Sequence, residues 1–162
     1  KSLANNNEVF FIPAFTGLGC PYWDPNARGA IYGLTRDTSK SRIIRAALES
    51  VALQTNDIFT AIKNDGIIPN LLRVDGGMTK NEWLMQFLSN ILNVKVEKPK
   101  ISETTALGVA MMSALKFGEF SSLKDISDSW ELEKSFSPKM KPEFREEIIK
   151  KWKYYVKKTL TK

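Results

Sequence analysis

A chain of 162 residues with 43% hydrophobic and 26% charged side chains has the composition of an ordinary globular domain and can bury its own core. No apolar run approaches the ~18 residues of a membrane span, and the opening segment lacks the apolar centre of a signal peptide, so we expect a cytoplasmic protein. With one cysteine and no histidine, an intrachain disulfide, a Cys/His nucleophile pair and a histidine metal site are excluded. We expect Cys20 to be a small packing residue.

The net charge of +6 is concentrated in the last part of the chain. Residues 139–162 carry nine basic and three acidic side chains, whereas residues 1–138 are neutral as a whole. An apolar stripe at helical spacing runs through this segment: Phe144, Ile148, Trp152, Tyr155, Val156 and Thr159. The lysines then occupy the opposite, solvated face. We therefore expect a solvated helix face and no nucleic-acid partner, and the alternative is contact with a nucleic acid or an anionic surface.

The first part of the chain predicts two strands separated by a long loop. Residues 9–12 form an aromatic, β-branched run that stops at Pro13, and residues 30–34 predict the second strand. The intervening loop is rich in Gly, Pro and aromatic residues, which is typical of functional or lid-like loops. Its Gly17 and Gly19 resemble a phosphate-binding loop only weakly, because neither a P-loop lysine nor a helical pattern follows directly.

Helices and strands alternate through the remainder of the chain. A helix is predicted from Ser41 to a stop at Gly66, and its apolar face comprises Ile44, Ala47, Leu48, Val51, Ile58 and Ile62. Glu49 and Asp57 on this helix are expected to be solvated or ion-paired rather than catalytic. Further on, the pattern predicts a strand at 94–97, a helix of small residues at 103–118, an edge strand at 131–136 and a last helix from Pro142.

Residues 71–83 join a short strand to a helix through a Gly-Gly pair. Thr79 is predicted to cap the helix, with Glu82 completing a capping box. Gly76 and Gly77 lack a Cβ, so a flat or charged group can lie directly against the backbone. Asn81 carries an amide that both donates and accepts hydrogen bonds. From these residues alone, the turn is either a simple strand-to-helix connection or a nucleotide contact.

The alternation of strands and helices predicts an α/β domain with a mixed or parallel sheet covered by helices. In such folds ligands collect where strands end and helices begin. The turn at residues 75–81 lies at such a place and is the candidate nucleotide site of the predicted α/β domain.

Several motifs in order resemble the FGGY carbohydrate kinase family, whose members have a ribonuclease H-like fold of the actin/hexokinase type. They occupy residues 12–19 (IPAFTGLG), 21–25 (PYWDP), 27–36 (ARGAIYGLTR) and 73–77 (RVDGG). The first two blocks are more similar to members that phosphorylate glycerol than to those acting on xylulose or gluconate. Residues 29–49 resemble the second signature of the family, from which Arg42 departs.

The resemblance implies that residues 1–162 are a partial C-terminal kinase domain on the nucleotide-binding side, without its first strands and without the N-terminal substrate domain. It implies transfer of the γ-phosphoryl group of Mg-ATP to a terminal hydroxyl of glycerol. Gly77 and Asn81 match the nucleotide positions of the family on the adenosine side, and Gly76 belongs to the same turn. In the family the catalytic base, the phosphate loops and the metal-handling carboxylates lie upstream, so we expect no catalytic or metal-binding residue in this chain.

The expected partners follow from the same resemblance. ATP or ADP would contact this chain, Mg²⁺ would be held mainly by residues outside it, and glycerol would bind through the N-terminal domain. The resemblance also leaves open whether the full-length enzyme forms a homo-oligomer. Alone, the chain is expected to be inactive. Two alternatives are a fragment of a related sugar kinase and a non-catalytic remnant or interaction module.

Overall fold

The computed structural model describes residues 8–161 of the chain. The strands are β1 (Phe10–Ile12), β2 (Ala30–Tyr32), β3 (Leu71–Arg73), β4 (Lys95–Pro99) and β5 (Leu132–Phe136). The helices are α1 (Lys40–Asn64), α2 (Glu82–Leu92), α3 (Thr104–Lys116), α4 (Leu123–Asp128) and α5 (Pro142–Thr159), with a 3-10 turn at Gly77–Lys80. The opening residues 1–7, and the expectation that they contain no signal peptide, lie outside the described range.

The strands form two separate sheets. β1 and β2 pair antiparallel, with Phe11 opposite Ile31. In the second sheet β3 and β4 are parallel and β5 adds antiparallel to β4, in the order β3-β4-β5. The parallel pair is connected through α2, which gives a βαβ unit. The prediction of a mixed sheet in an α/β domain is confirmed, and so is the position of β5 at an edge.

The core lies where α1, α2 and α5 meet the two sheets. Its largest fully buried side chains include Leu53 of α1, Leu84 and Ile91 of α2, Val96 of β4 and Trp152 of α5. The helical spacing of Leu84, Phe87, Leu88 and Ile91 predicts one buried face of α2, and all four side chains are buried. Asn93 ends this helix in the left-handed conformation (φ 55°, ψ 40°), which asparagine adopts more readily than most residues.

The buried face of α1 differs from the predicted one. Ile44, Val51 and Ile58 are exposed, whereas the helix buries Ala46, Glu49, Ser50, Ala52, Leu53, Asn56, Asp57 and Phe59. The polar members of this face are accommodated because Glu49 pairs with Arg45 at 2.8 Å and Asp57 accepts a hydrogen bond from Trp152. Small residues let α1 approach its neighbours, so the face that packs is not the most apolar one.

The small residues of α3 allow a close approach to another element, and the sequence therefore predicts a tightly packed crossing. None of the side chains of α3 is buried. Val109, Met112 and Phe117 are exposed, Phe117 by 85%. Within the described part of the chain the helix therefore leaves its apolar side to solvent.

The loop between β1 and β2 is built around a buried carboxylate. Asp24 is 1% exposed and accepts hydrogen bonds from the backbone N–H groups of Asn26, Ala27 and Thr161 and from the Thr161 hydroxyl. A Cβ on Gly17 would lie 2.6 Å from the Cα of Pro25, so this glycine serves the packing of the loop. The expectation for Cys20 is wrong, because its side chain is exposed where the loop turns outward.

The apolar stripe of α5 is confirmed for most of its length. Trp152, Val156 and Thr159 are buried, and Tyr155 stacks on Tyr32 with ring centroids 4.7 Å apart. Phe144 is an exception, because the first turn of the helix projects beyond the core and leaves it exposed. None of the helices in residues 8–161 has the length and apolar character needed to cross a membrane.

Candidate functional site

The chain leaves the sheet directly after β3. The N–H of Val74 still donates to the carbonyl of Glu97 at 3.0 Å, and the next residue, Asp75, is exposed. The Asp75 carboxylate accepts a hydrogen bond from the hydroxyl of Thr104, the first residue of α3. The N–H of Gly76 donates to the carbonyl of Ser102 at 3.1 Å. These bonds fix the turn against the beginning of α3.

Gly76 adopts a conformation that other residues rarely enter (φ 82°, ψ 177°). Its carbonyl accepts hydrogen bonds from the N–H of Thr79 at 3.1 Å and from the Thr79 hydroxyl at 2.7 Å. The hydroxyl of Thr79 therefore points back into the turn. The backbone of the turn is held by groups of its own sequence as well as by Ser102.

The predicted cap of α2 is wrong. Thr79 lies inside the 3-10 turn, and Asn81 is the N-cap, with its Oδ1 accepting a hydrogen bond from Leu84 N–H at 3.1 Å. Glu82 does not complete a capping box, because its carboxylate pairs with Lys134 at 2.7 Å. The 3-10 turn displaces the beginning of the helix, and local sequence gave no sign of it.

The capping role of Asn81 determines what its amide can offer a ligand. Oδ1 is occupied by the helix, and Nδ2 makes no hydrogen bond with any residue in the range 8–161. The side chain therefore presents donor hydrogens, not the donor-acceptor pair that the sequence alone suggests. A ring nitrogen or carbonyl oxygen of a ligand would be a matching acceptor.

The backbone at the two glycines is open on its outer side. A Cβ built on Gly76 or on Gly77 has no other atom within 4 Å. Gly77, unlike Gly76, is not in the left-handed region, so neither backbone conformation nor contacts in the described chain require glycine at this position. An accessible main chain beside a free amide donor fits a flat aromatic base, as the adenosine assignment of Gly76, Gly77 and Asn81 requires.

A groove of about 420 Å³ lies next to the turn, between α1 and the end of β3. Asp75, Met78, Thr79 and Thr104 line it, whereas Gly76, Gly77 and Asn81 do not. Sequence reasoning missed the participation of Ser102 and Thr104, because their bonds to the turn cross 26 to 29 positions and leave no local pattern. At the far side Arg73 lies over the ring of Trp130 at 4.0 Å.

The site provides binding groups: open backbone, an amide donor and a turn fixed by hydroxyl and carbonyl groups. In residues 8–161 no group of three His, Cys, Asp or Glu side chains is placed to hold a metal ion. The described residues do not fit a Mg²⁺ site of their own, so no chemical step is assigned to a metal here.

Residues 1–117 match the C-terminal domain of the FGGY family of carbohydrate kinases. The chain belongs to this FGGY family. It is 52% identical over 154 residues to glycerol kinase 1 of Pseudomonas aeruginosa, an alignment that covers 95% of the chain and 31% of that protein. The chain thus spans about a third of the length of such FGGY relatives.

Solved FGGY structures agree with this assignment. The crystal structure of Plasmodium falciparum glycerol kinase with ADP superposes with a TM-score of 0.85 at 40% identity, covering 98% of this chain and 32% of that one. A ligand-bound xylulose kinase from Lactobacillus acidophilus gives a TM-score of 0.76 at 27% identity, covering 96% of this chain and 31% of that one. The expected kinase fold is confirmed.

Proposed function

We propose that this domain binds the adenosine part of ATP or ADP in a kinase that converts glycerol to glycerol 3-phosphate. The observation that carries the proposal is the open main chain at Gly76 and Gly77, with the free amide donor of Asn81 beside it. The similarity to glycerol kinase along nearly the whole chain supports the choice of substrate. We place the enzyme in the cytoplasm, in keeping with its single cysteine.

Each part of the turn has its own role in this proposal. The glycines let the base approach the backbone, and Asn81 Nδ2 donates to an acceptor on the base. The bonds from Ser102 and Thr104 hold the turn in place before the ligand arrives, so the turn loses little conformational freedom on binding. Bound ATP would supply the phosphoryl group. The catalytic base that accepts the hydroxyl proton, the phosphate loops and most Mg²⁺ ligands would come from residues outside this chain. The isolated domain is expected to bind but not to catalyse.

The exposed apolar surfaces support a dependence on further protein. α3 has no buried side chain, Val51 and Ile58 of α1 are exposed, and β3 is an edge strand of the described sheet. Open sheet edges and large apolar surfaces are usually covered in soluble proteins. We propose that the N-terminal two thirds present in the relatives cover these surfaces in the whole enzyme.

The nucleotide site is tested with substitutions that spare the fold. Gly77→Val places a side chain where the base would lie, and Asn81→Ser retains an N-cap oxygen but removes the amide donor. We expect the dissociation constant of ADP, measured by calorimetry, to rise at least about tenfold for Gly77→Val and a few-fold for Asn81→Ser. Gly19→Val is the matched control, because a Cβ on Gly19 also has no atom within 4 Å. Unchanged ADP affinity in both site variants would remove the assignment.

Activity is tested by complementation. The domain is co-expressed with the preceding two thirds of the P. aeruginosa relative, and ATP-dependent phosphorylation is measured with glycerol, xylulose and gluconate. We expect activity on glycerol. Preference for xylulose would favour the related sugar kinase, an alternative that rests on the similarity to the L. acidophilus enzyme. If ADP fails to raise the melting temperature of the folded chain, the third alternative, an interaction module, gains support.

A further inference from the structure

A second groove, of about 410 Å³, lies between α1 and α5. α1 contributes Asn56 and Lys63, and α5 contributes Arg145, Glu146, Lys150 and Lys153. None of its lining residues belongs to the Gly-Gly turn or to the strands beside it. The proposed function therefore leaves this groove without a role.

The groove concentrates unpaired positive charge. Four cationic side chains and one carboxylate, that of Glu146, line the groove, and Lys153 also interacts electrostatically with the buried Asp57. None of the four forms an ion pair with a residue of the described chain, although Lys98, Lys134 and Lys151 each do so elsewhere in the chain. Like charges brought together in a concave site attract counter-ions more strongly than isolated surface lysines do.

Arg145 is held in a fixed orientation within this groove. Its Nε donates to the carbonyl of Ile91 at 2.7 Å, and its terminal nitrogens make no hydrogen bond in residues 8–161. Partial burial lowers the pKa of the guanidinium from its ordinary value, and the nearby Glu146 opposes this effect only in part. A charged fork that is partly removed from water, with its donors free, suits an oxyanion.

Asn56 adds an available amide to the groove. The residue is 5% exposed and lines the groove, yet its side-chain amide has no hydrogen-bond partner among the described residues. Solvent still reaches the amide, so its donor hydrogens are available to a ligand in the groove. The amide adds a neutral donor to the cations around it.

We propose that the groove between α1 and α5 binds a small phosphate-bearing anion at a site separate from the nucleotide turn. Guanidinium and ammonium groups with an amide donor match the oxygens of a phosphate ester or of a polyphosphate. The volume lies in the ordinary range for small-molecule sites. The groove is open on its outer side, its three lysines are exposed, and its small volume favours a compact anion over a long nucleic-acid strand.

The test uses the full chain, with pyrophosphate as probe in calorimetry at physiological salt. We expect one saturable site, and a dissociation constant at least about tenfold higher for the double variant Lys150→Gln/Lys153→Gln. Asn56→Leu, which keeps the volume and removes the amide, should weaken binding a few-fold. The control Lys124→Gln/Lys139→Gln removes the same charge outside the groove and should change the constant less than about twofold.

Three outcomes would overturn the proposal: no saturable pyrophosphate binding, equal losses in the groove and control variants, or single-stranded DNA that binds tightly and is not displaced by pyrophosphate. Amide chemical shifts provide the second readout, because pyrophosphate should move residues 56–63 and 145–153 rather than 76–81. Gly77→Val should leave pyrophosphate affinity unchanged. The two binding proposals can therefore fail separately. Circular dichroism of each variant establishes that it is folded.

Discussion

Asp57 is a carboxylate enclosed by side chains from distant parts of the chain. Its Oδ2 accepts a hydrogen bond from Trp152 Nε1 at 2.7 Å, and its Oδ1 has no hydrogen-bond partner among the described residues. Burial raises the pKa of Asp57, and the interactions with Trp152, Tyr22 and Lys153 lower it only in part. Burial also raises the pKa of Tyr22, and the neighbouring Asp57 raises it further. The sequence predicted a solvated or ion-paired acid here, but tertiary packing encloses it.

Asp57→Asn is expected to stabilise the domain at neutral pH. Because the pKa of Asp57 is higher in the folded than in the unfolded chain, the folded chain binds this proton more tightly. This group therefore adds stability below its unfolded pKa, and that contribution is lost as pH rises through the folded pKa. We expect the variant to raise the free energy of unfolding at neutral pH by about 1 kcal/mol. The free energy of unfolding of the variant should also fall less steeply as pH rises above about pH 4.

The measurement is urea unfolding monitored by circular dichroism across this pH range. Asp128→Asn, at an exposed position of α4, is the control and should change the free energy by less than about 0.5 kcal/mol. A clear loss of stability in Asp57→Asn at neutral pH would mean that the ionised carboxylate, through its bond to Trp152, supports the fold.

One hydroxyl connects three elements of the βαβ unit and its added strand. Ser89 of α2 is fully buried, and its single hydroxyl hydrogen is shared between the carbonyl of Val94, just before β4, at 2.8 Å and the carbonyl of Phe136, at the end of β5, at 3.0 Å. Both carbonyls lie in the core, where water cannot replace the donor. The last turn of α2 and the far end of the sheet are thereby held together.

Ser89→Ala should lower the free energy of unfolding by about 1–3 kcal/mol, because two buried carbonyls lose a donor. Ser113→Ala is the matched control: Ser113 is exposed and its Oγ donates to Val109 within its own helix, so the expected change is below about 0.5 kcal/mol. Denaturant titration of both variants checks the difference. Equal losses would contradict a linking role for Ser89.

The identity and order of most elements could be predicted from sequence, because periodicity, glycine stops and Pro142 act locally. The buried face of α1 could not, since Ile44 and Val51 form the more apolar stripe and only the tertiary arrangement decides which stripe packs. At the site, the glycine pair and Asn81 stand out locally. The 3-10 turn and the bond between Asp75 and Thr104 depend on contacts from outside the segment, so local sequence could not reveal them.

At the scale of the whole molecule, stability is unevenly distributed. α2 buries most of its length in the core, whereas α3 has no buried side chain and is fixed mainly at its first residue through Thr104. Helices with few apolar contacts open by local unfolding at low free-energy cost. Surface that stays uncovered in the isolated chain is therefore concentrated around α3.

Amide hydrogen exchange should make this difference visible. We expect the amides of α3 to exchange at least about a hundredfold faster than those of α2 in the isolated chain, since each factor of ten corresponds to about 1.4 kcal/mol of opening free energy. Addition of the N-terminal part of the relative should slow exchange in α3 and leave α2 unchanged. Equal protection of the two helices in the isolated chain would contradict an uncovered α3.

The contact between Asp24 and Thr161 also bears on how the protein is made. The two residues are 137 positions apart, so on the ribosome the loop around Asp24 emerges well before its partner has been synthesised. At ordinary elongation rates this interval is roughly ten seconds, which is long compared with the folding of most small domains. During each round of translation the Asp24 carboxylate is therefore hydrated until Thr161 has been synthesised. Closure of the loop around Asp24 is a late event in biosynthesis.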